Sequence, residues 1–460
     1  MLLELPDPCL LAVMQYCAVD DQCSLFRAAR AHSRLHQAAV LALRSIKAIV
    51  LQQQQVDSVL MYLWRHGQHI DSINLLMGLG PLRTDGTTLT LRWLPKLMQL
   101  SSLQLGHMTV QLHLRDGWGL TVGPPPLKQL CLSNCKLLDT AEEFAAALVQ
   151  LPTLEHLSVQ GASCTVKDSN AVQGLVPTHT LASVLQQLQH LTHLQLDDLG
   201  MFPSPAQIDL QQLQALTQLA DLRLGRWPWG SDAYTITATM LSGAHQLTWL
   251  EIPLFDVEPG ALADKTQLQH LHLNSCTILG EAAGVAELLS HLKHMQQLTY
   301  LDLQDSLQYD WVREASGDVL FVKQEQRSSG DNRVANPPAA AFAALTASSK
   351  LQHLNISCCS LPSGVWTHIF PAGRQLLHLH HLDIGDVHDW LVYPTSVCTW
   401  DPPLEGDQLV SCCPGLHSFK LANWPFRKEL LDPLRALSGL HTLCVSSATS
   451  KRRALEVVVS

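Results

Sequence analysis

A six-residue word, Leu-x-x-Leu-x-Leu, recurs along most of this chain and constrains its fold more than any other feature. It reads "LSSLQL" from Leu100, "LKQLCL" from Leu127, "LEHLSV" from Leu154, "LTHLQL" from Leu191, "LADLRL" from Leu219 and "LTWLEI" from Leu247. It continues as "LQHLHL" from Leu268, "LTYLDL" from Leu298, "LQHLNI" from Leu351, "LHHLDI" from Leu379, "LHSFKL" from Leu416 and "LHTLCV" from Leu440. Weaker copies, "IKAIVL" from Ile46 and "IDSINL" from Ile70, precede them. The starts at 100, 127 and 154 are 27 apart, and those at 191, 219 and 247 are 28 apart. A fixed period of this length means stacked units, none able to bury its apolar face alone. Leucines at alternate positions suit a short strand with one inward face. Between words, "DTAEEFAAALVQLP" (139–152) and "GEAAGVAELLSHLKHM" (280–295) are rich in Ala, Glu and Leu and predict helices on the return path.

The word and its spacing resemble the leucine-rich repeat. The resemblance implies an α/β solenoid over residues 46–460, curved, with parallel strands on its concave face and helices on its convex face. Eight residues after the first Leu, the family pattern places Asn or Cys, a buried group that satisfies turn backbone. Cys135, Cys276 and Cys359 stand there, while other copies carry Ala162, Leu199, Phe255 or Trp424. The likeness is nearest to the cysteine-containing and ribonuclease-inhibitor-like subfamilies. Gaps longer than one repeat predict inserts near 160–180, 305–345 and 385–413. Within the second, "EASGDVLFVKQEQRSSGDNRVANPP" (314–338) reads as a surface loop with one short strand at Val319 to Val322.

The N-terminal stretch "LELPDPCLLAVMQYC" (3–17) is apolar enough to raise the question of an export signal. Glu4 and Asp7 are acidic, and Pro6 and Pro8 interrupt the apolar run, which argues against one. A short helix fits better, with Asp7 as cap and Pro8 in its first turn. Together with "AVDDQCSLFRAARAHSRLHQAAV" (18–40), this segment resembles the F-box, a small helical motif; Leu35 stands where such motifs often carry Trp. The resemblance implies that residues 1–45 form a helical domain binding the Skp-type adaptor of a cullin-RING (SCF-type) ubiquitin ligase through Leu5, Pro6, Leu10, Leu11 and Met14. The repeats would then hold a target protein for ubiquitin-dependent breakdown, with catalysis left to the RING and conjugating enzymes. The alternative is a leucine-rich-repeat interaction scaffold with no ubiquitin link, in which residues 1–45 only cap the solenoid.

In the repeat register, residues between the inward leucines face the concave surface. One ladder reads His156, His193, Asp221, Trp249, His270, Tyr300, His353 and His381; the next includes Arg223, Glu251, His272, Asp302, Asn355 and Asp383. Aromatic groups beside charges suit protein recognition, so Trp249, Glu251, His270, His272, Tyr300 and Asp302 form the expected docking patch for a target protein. The histidines of "HLHHLDIGDVHDW" (378–390) lack convergent ligand spacing, and no metal or other cofactor is expected. No nucleophile elbow, phosphate loop or HExxH motif occurs, so no catalytic residues and no intrinsic enzyme are expected. A net charge of −10 disfavours nucleic acid as a partner, and no run approaches the roughly 18 apolar residues of a membrane span. The odd number of cysteines, 13, points to free thiols and hence to an intracellular setting, cytoplasm or nucleus.

Overall fold

In a computed structural model of the chain, the residues described are all except 1–4, 21–26, 28–30, 51, 79–87, 92–96, 112–125, 140, 162, 165–183, 198–209, 226–234, 308–310, 314–318, 322–336, 386, 390–403, 422–427, 446–454 and 459–460. They form two compact units, Met1–Leu216 and Thr217–Ser460.

Near its start the first unit has the helices α1 (Asp7–Asp20) and α2 (Ser33–Ala42). His32 caps α2 by accepting the Arg34 N–H at its Nδ1, 3.1 Å away. Arg34 then ties the helices together, its Nε donating to Asp7 Oδ1 at 2.9 Å and a terminal nitrogen to the Leu5 carbonyl at 2.7 Å. Leu35, Ala38, Ala39 and Ala42, at helical spacing, form the buried side of α2. The repeats follow: β1 (Ser45–Val50), α3 (Gln53–His66), β2 (Ser72–Met77), β3 (Ser102–Gly106), β4 (Gln129–Ser133), α4 (Ala141–Val149), β5 (His156–Gln160) and β6 (His193–Asp197). The strands pair in parallel in chain order. Ile46, Ile73, Leu103, Leu130, Leu157 and Leu194 align across them, each at most 3 % exposed. This alignment corrects the first weak word. Its buried register begins at Leu43, and Ile49 is 69 % exposed.

The second unit repeats the arrangement. Its strands are β7 (Asp221–Leu224), β8 (Trp249–Glu251), β9 (His270–His272), β10 (Tyr300–Asp302), β11 (His353–Asn355), β12 (His381–Asp383), β13 (Ser418–Leu421), β14 (Thr442–Val445) and β15 (Leu455–Val458), and helix α5 (Glu281–Leu292) lies between β9 and β10 in the chain. Strands β7 to β14 pair in parallel in chain order, and β15 lies antiparallel on β14. Leu222, Leu250, Leu271, Leu301, Leu354, Leu382 and Phe419 align into one buried column. Short parallel ladders, such as Thr235–Ile236, Asp256–Val257 and Thr277–Ile278, follow the strand turns. The fold is therefore an α/β leucine-rich-repeat solenoid with N-terminal helices, and α4 and α5 occupy the two stretches whose composition predicts helices.

Among the described residues, seven strands are followed by a turn whose geometry recurs at one register position. Seven residues after the first Leu of their words, His107, Asn134, Leu254, Ser275, Asp305 and Cys358 have φ between 51° and 68°, and Gly161 has φ 56°. This left-handed conformation swings the next residue inward. Cys135, Cys276 and Cys359 are consequently buried, and their thiols donate to the carbonyls of Leu105 (3.4 Å), Ile252 (2.9 Å) and Leu303 (3.1 Å) in the preceding repeat. Burial pushes the Cys276 and Cys359 thiols up to about 12, so both remain protonated donors. Ser306 stands at the same position in the Leu298 word, where its hydroxyl donates to the Leu273 carbonyl and accepts the Cys276 N–H at 3.0 Å.

Of the inserts, the second contains an antiparallel pair, Trp311–Arg313 with Val319–Phe321. The short strand expected at Val319 is present, and its partner is an addition to the expectation. Most of the first insert (165–183), the remainder of the loop (314–318 and 322–336) and residues 390–403 of the third lie outside the described residues. A helix, Gly406–Cys412, ends the third.

Two substitutions test the turn. A Cβ at Gly161 would lie 2.4 Å from Asn134 Oδ1 in a left-handed backbone, so Gly161→Ala is expected to cost about 1–3 kcal/mol in urea unfolding. Cys359→Val removes the thiol donor but leaves the Leu303 carbonyl its bond from the Ser306 N–H at 3.1 Å, so it is expected to cost about 0.5–1.5 kcal/mol, with Cys359→Ser costing less because a hydroxyl already performs this task at Ser306.

Candidate functional site

The solvent face of β7 to β12 is built by the same register that fills the core. With the second and third apolar positions turned inward, the residue before each points outward, and parallel pairing without slippage aligns those residues from strand to strand. Asp221, Trp249, His270, Tyr300, His353 and His381 form one row; Arg223, Glu251, His272, Asp302, Asn355 and Asp383 form the other.

In the first row the rings stack. Trp249 and His270 lie 3.4 Å apart between centroids at 6°, His270 and Tyr300 3.9 Å at 7°, and Tyr300 and His353 4.2 Å at 10°. His381 continues the row at 5.7 Å but is tilted by 38°. At the other end the Arg223 guanidinium lies 4.1 Å above the Trp249 ring and is held in a two-pronged pair with Asp221 at 2.9 and 2.8 Å. This pair fixes the cation over the ring and offsets its charge.

The second row is ionic. His272 sits between two carboxylates, its Nδ1 3.6 Å from Glu251 Oε1 and its Nε2 3.7 Å from Asp302 Oδ2. Asp302 also serves the fold, since its Oδ1 accepts the Gln304 N–H at 3.0 Å. Asn355 and Asp383 make the equivalent bonds to the N–H groups of Ser357 and Gly385. The remaining oxygen of Asp302 faces His272 and lies 3.4 Å from the Tyr300 hydroxyl.

These surroundings divide the histidines. Burial within the stack lowers His270 and His353 from 6.5 to about 4, so both rings are neutral at pH 7. Burial also opposes charge on His272, but the carboxylates of Glu251 and Asp302 outweigh it and raise its pKa. Hydrogen bonding to His272 holds Glu251 below the usual carboxylate range, while burial beside Asp302 lifts Tyr300 to about 12.

All six residues of the expected docking patch, Trp249, Glu251, His270, His272, Tyr300 and Asp302, thus lie together on β8 to β10. Sequence reasoning left out His353, which extends the stack, and the Asp221–Arg223 pair, which ends it. Both stand in the predicted rows, but nothing in a row of letters distinguishes stacked rings from adjacent ones. The histidines of 378–390 separate: His381 faces solvent, whereas His380 contacts the Gly415 carbonyl at 2.9 Å and stacks on His417.

At the N-terminus, α1 turns Leu10 and Met14 inward, 1 % and 2 % exposed. Leu5 and Leu11 are half-buried and Pro6 is exposed. The outer side of α1 carries Val13, 37 % exposed, and Tyr16, 73 % exposed. Leu35 belongs to the buried side of α2.

No family model matches the chain. No curated protein matches it either. Among solved structures, an internalin from Listeria monocytogenes is similar at 14 % identity and a TM-score of 0.46, over 87 % of this chain and 95 % of the internalin. A leucine-rich-repeat protein of Leptospira interrogans is similar at 14 % identity and a TM-score of 0.47, over 89 % of this chain and 91 % of the other. The leucine-rich-repeat ectodomain of an Arabidopsis thaliana membrane receptor kinase, in complex with Casparian strip integrity factor 2, gives 15 % identity and a TM-score of 0.42. That match covers 89 % of this chain and 42 % of the ectodomain. Among the described residues no helix is long and apolar enough to cross a membrane, and Cys131, Cys135, Cys276 and Cys359 are among the free thiols.

The histidine environments have opposite consequences for stability against pH. His270 and His353 have lowered folded pKa values, so the unfolded chain takes up their protons first and stability falls as pH drops from 6.5 towards 4. His272, with a raised value, contributes stability that is present below 6.5 and is lost as pH rises through its folded pKa. NMR titration of the ring protons should show His270 and His353 still neutral at pH 5.5, with His272 charged.

Proposed function

We propose that this chain is a protein-binding scaffold whose solvent face over β7 to β12 holds a partner protein. The observation that carries this reading is the run of parallel rings, Trp249, His270, Tyr300 and His353, each half-buried on an otherwise polar face. Rigid aromatic surface loses little conformational entropy when covered, and Trp, Tyr and Arg dominate binding hot spots. The adjoining Arg223, Glu251 and His272 supply directional polar contacts, with Asp221 holding Arg223 and the buried Asp302 facing His272 from beneath. Complementary occupants are segments with a flat apolar or aromatic side chain flanked by charge. In proximity labelling with the full chain, Trp249→Ala combined with Tyr300→Ala is expected to deplete the partners of the wild type by tenfold or more. Unchanged labelling by a folded double variant would overturn the assignment of this face.

A second reading concerns the N-terminal helices and rests on α1 being apolar on two sides. Leu10 and Met14 serve the interior, yet Val13 and Tyr16 remain outside with Leu11 between them. Residues with no internal packing role suit a second protein, and the F-box resemblance names its class: the Skp-type adaptor of a cullin-RING ubiquitin ligase. On this reading the chain is the substrate-recognition subunit in cytoplasm or nucleus, and Pro6, Leu11, Val13 and Tyr16 are the adaptor contacts, with Leu10 and Met14 supporting them from beneath. Val13→Asp with Tyr16→Asp is expected to abolish retention of the adaptor in a pulldown without lowering the melting temperature. If the wild type retains no adaptor, the ligase reading is abandoned and the scaffold reading stands alone.

A further inference from the structure

The ionic row and the stack meet at one point, and its chemistry exceeds what protein docking requires. One donor atom from each of Glu251, His270 and His272 lies within 4.8 Å of the other two. Spacing along the chain predicts no metal site, but here the donors come from two strands. In-register pairing sets Glu251 beside His272, and His270 precedes His272 by two residues on the same face. We propose that Glu251, His270 and His272 bind a divalent transition-metal ion of the zinc type.

Three features favour a site over a chance encounter. First, His270 is clamped: Trp249 and Tyr300 lie parallel to it on either side, so its ring nitrogens are held in one plane between theirs. A ligand fixed in advance loses little entropy on binding.

Second, His272 is oriented from behind. With Nδ1 turned to Glu251, its Nε2 lies 3.7 Å from Asp302 Oδ2, shielded from solvent and without a hydrogen-bond partner. Closing that gap makes the carboxylate–histidine–metal relay in which an outer acid fixes the imidazole and raises its donor strength. Asp302 is anchored for this task by the Gln304 N–H on its other oxygen.

Third, the local charge suits a cation. Glu251 and Asp302 are both acidic, while the nearby Arg223 is paired with Asp221. Imidazole with carboxylate is a zinc-type donor set, and three protein ligands leave a fourth position for water or for a side chain of a bound protein. Tetrahedral zinc with bonds of about 2.0–2.1 Å draws its ligand atoms to about 3.4 Å of each other. The set therefore closes by about an ångström, which rotation of the Glu251 side chain and a small shift of His272 supply.

Metal binding of this kind needs no protein partner, so its test is separate from that of the docking face. Full-length protein stripped with chelator is titrated with Zn2+ alone by calorimetry, and with Co2+ in the visible range. Wild type is expected to bind one ion that gives the d–d bands of a four-coordinate nitrogen and oxygen site, without the intense near-ultraviolet charge transfer that cysteine ligation produces. Glu251→Gln and His272→Gln should each weaken that ion at least tenfold. Asp302→Asn should weaken it about tenfold as an outer-sphere effect; this variant keeps the turn, because Asn355 makes the same backbone bond in the next strand. His381→Ala lies outside the set and should leave the ion in place. The proposal fails if the wild type shows no such ion, if only thiolate-type spectra appear, or if Glu251→Gln and His272→Gln bind the ion as tightly as the wild type while remaining folded by circular dichroism.

Discussion

In four places a carbonyl near the end of one strand points into the interior, and the next repeat supplies it with a side-chain donor. An unanswered carbonyl in that place would cost about 1–3 kcal/mol, and the debt would recur along the stack. Here Cys135, Cys276, Ser306 and Cys359 answer the carbonyls of Leu105, Ile252, Leu273 and Leu303. The left-handed residue before each donor carries it inward, so strand, turn and side chain form one mechanism. Where the donor is present, the leucine column closes beside a satisfied turn. The outer rows are aligned because the column is in register.

The outer face follows from that inner discipline. Strands of three residues, as in β8 to β12, have room for only two outward side chains each. With no slippage between strands, identical chemistry at one register position becomes a continuous line. A ring in each of four successive repeats therefore becomes a stack without any long-range element to arrange it. The same geometry sets His272 between Glu251 and Asp302, one strand to either side. The charge states within a few ångströms of each other then diverge, with neutral rings in the stack and a favoured cation in the acidic slot.

Much of this was legible before any coordinates. The inward leucines, the buried cysteines, the two outer rows and the helices α4 and α5 follow from period and composition, because burial and pairing leave little freedom once the word is recognised. Other features depend on contacts that a one-dimensional pattern does not carry. Ser306 does not match the Asn or Cys of the family pattern, although any short side chain with a polar hydrogen meets the need. Left-handed backbone at Leu254 has no marker in residue type, since leucine does not favour it. The first word starts three residues earlier than the sequence suggests, because Ile46 and Ile49 look alike and only pairing with Ile73 distinguishes the buried one. In α1 apolar residues occupy both sides, so composition left open which of them serve the interior. Packing against α2 assigns Leu10 and Met14 there and leaves Tyr16 outside.

The last strand of the second unit, β15, runs against the direction of those before it. A parallel stack grows by presenting to each newcomer an edge like the one just covered, which is also the condition for uncontrolled addition of strands from other molecules. On β15 a strand running in the direction of β7 to β14 would form the alternating close and wide bond pairs of an antiparallel ladder instead of the evenly spaced, slanted bonds of a parallel one. A repeat arriving with the orientation of its predecessors finds a template out of phase with its own. With these four residues of strand the parallel series of β7 to β14 changes direction, so the second unit presents at this edge a strand of opposite polarity to all those before it.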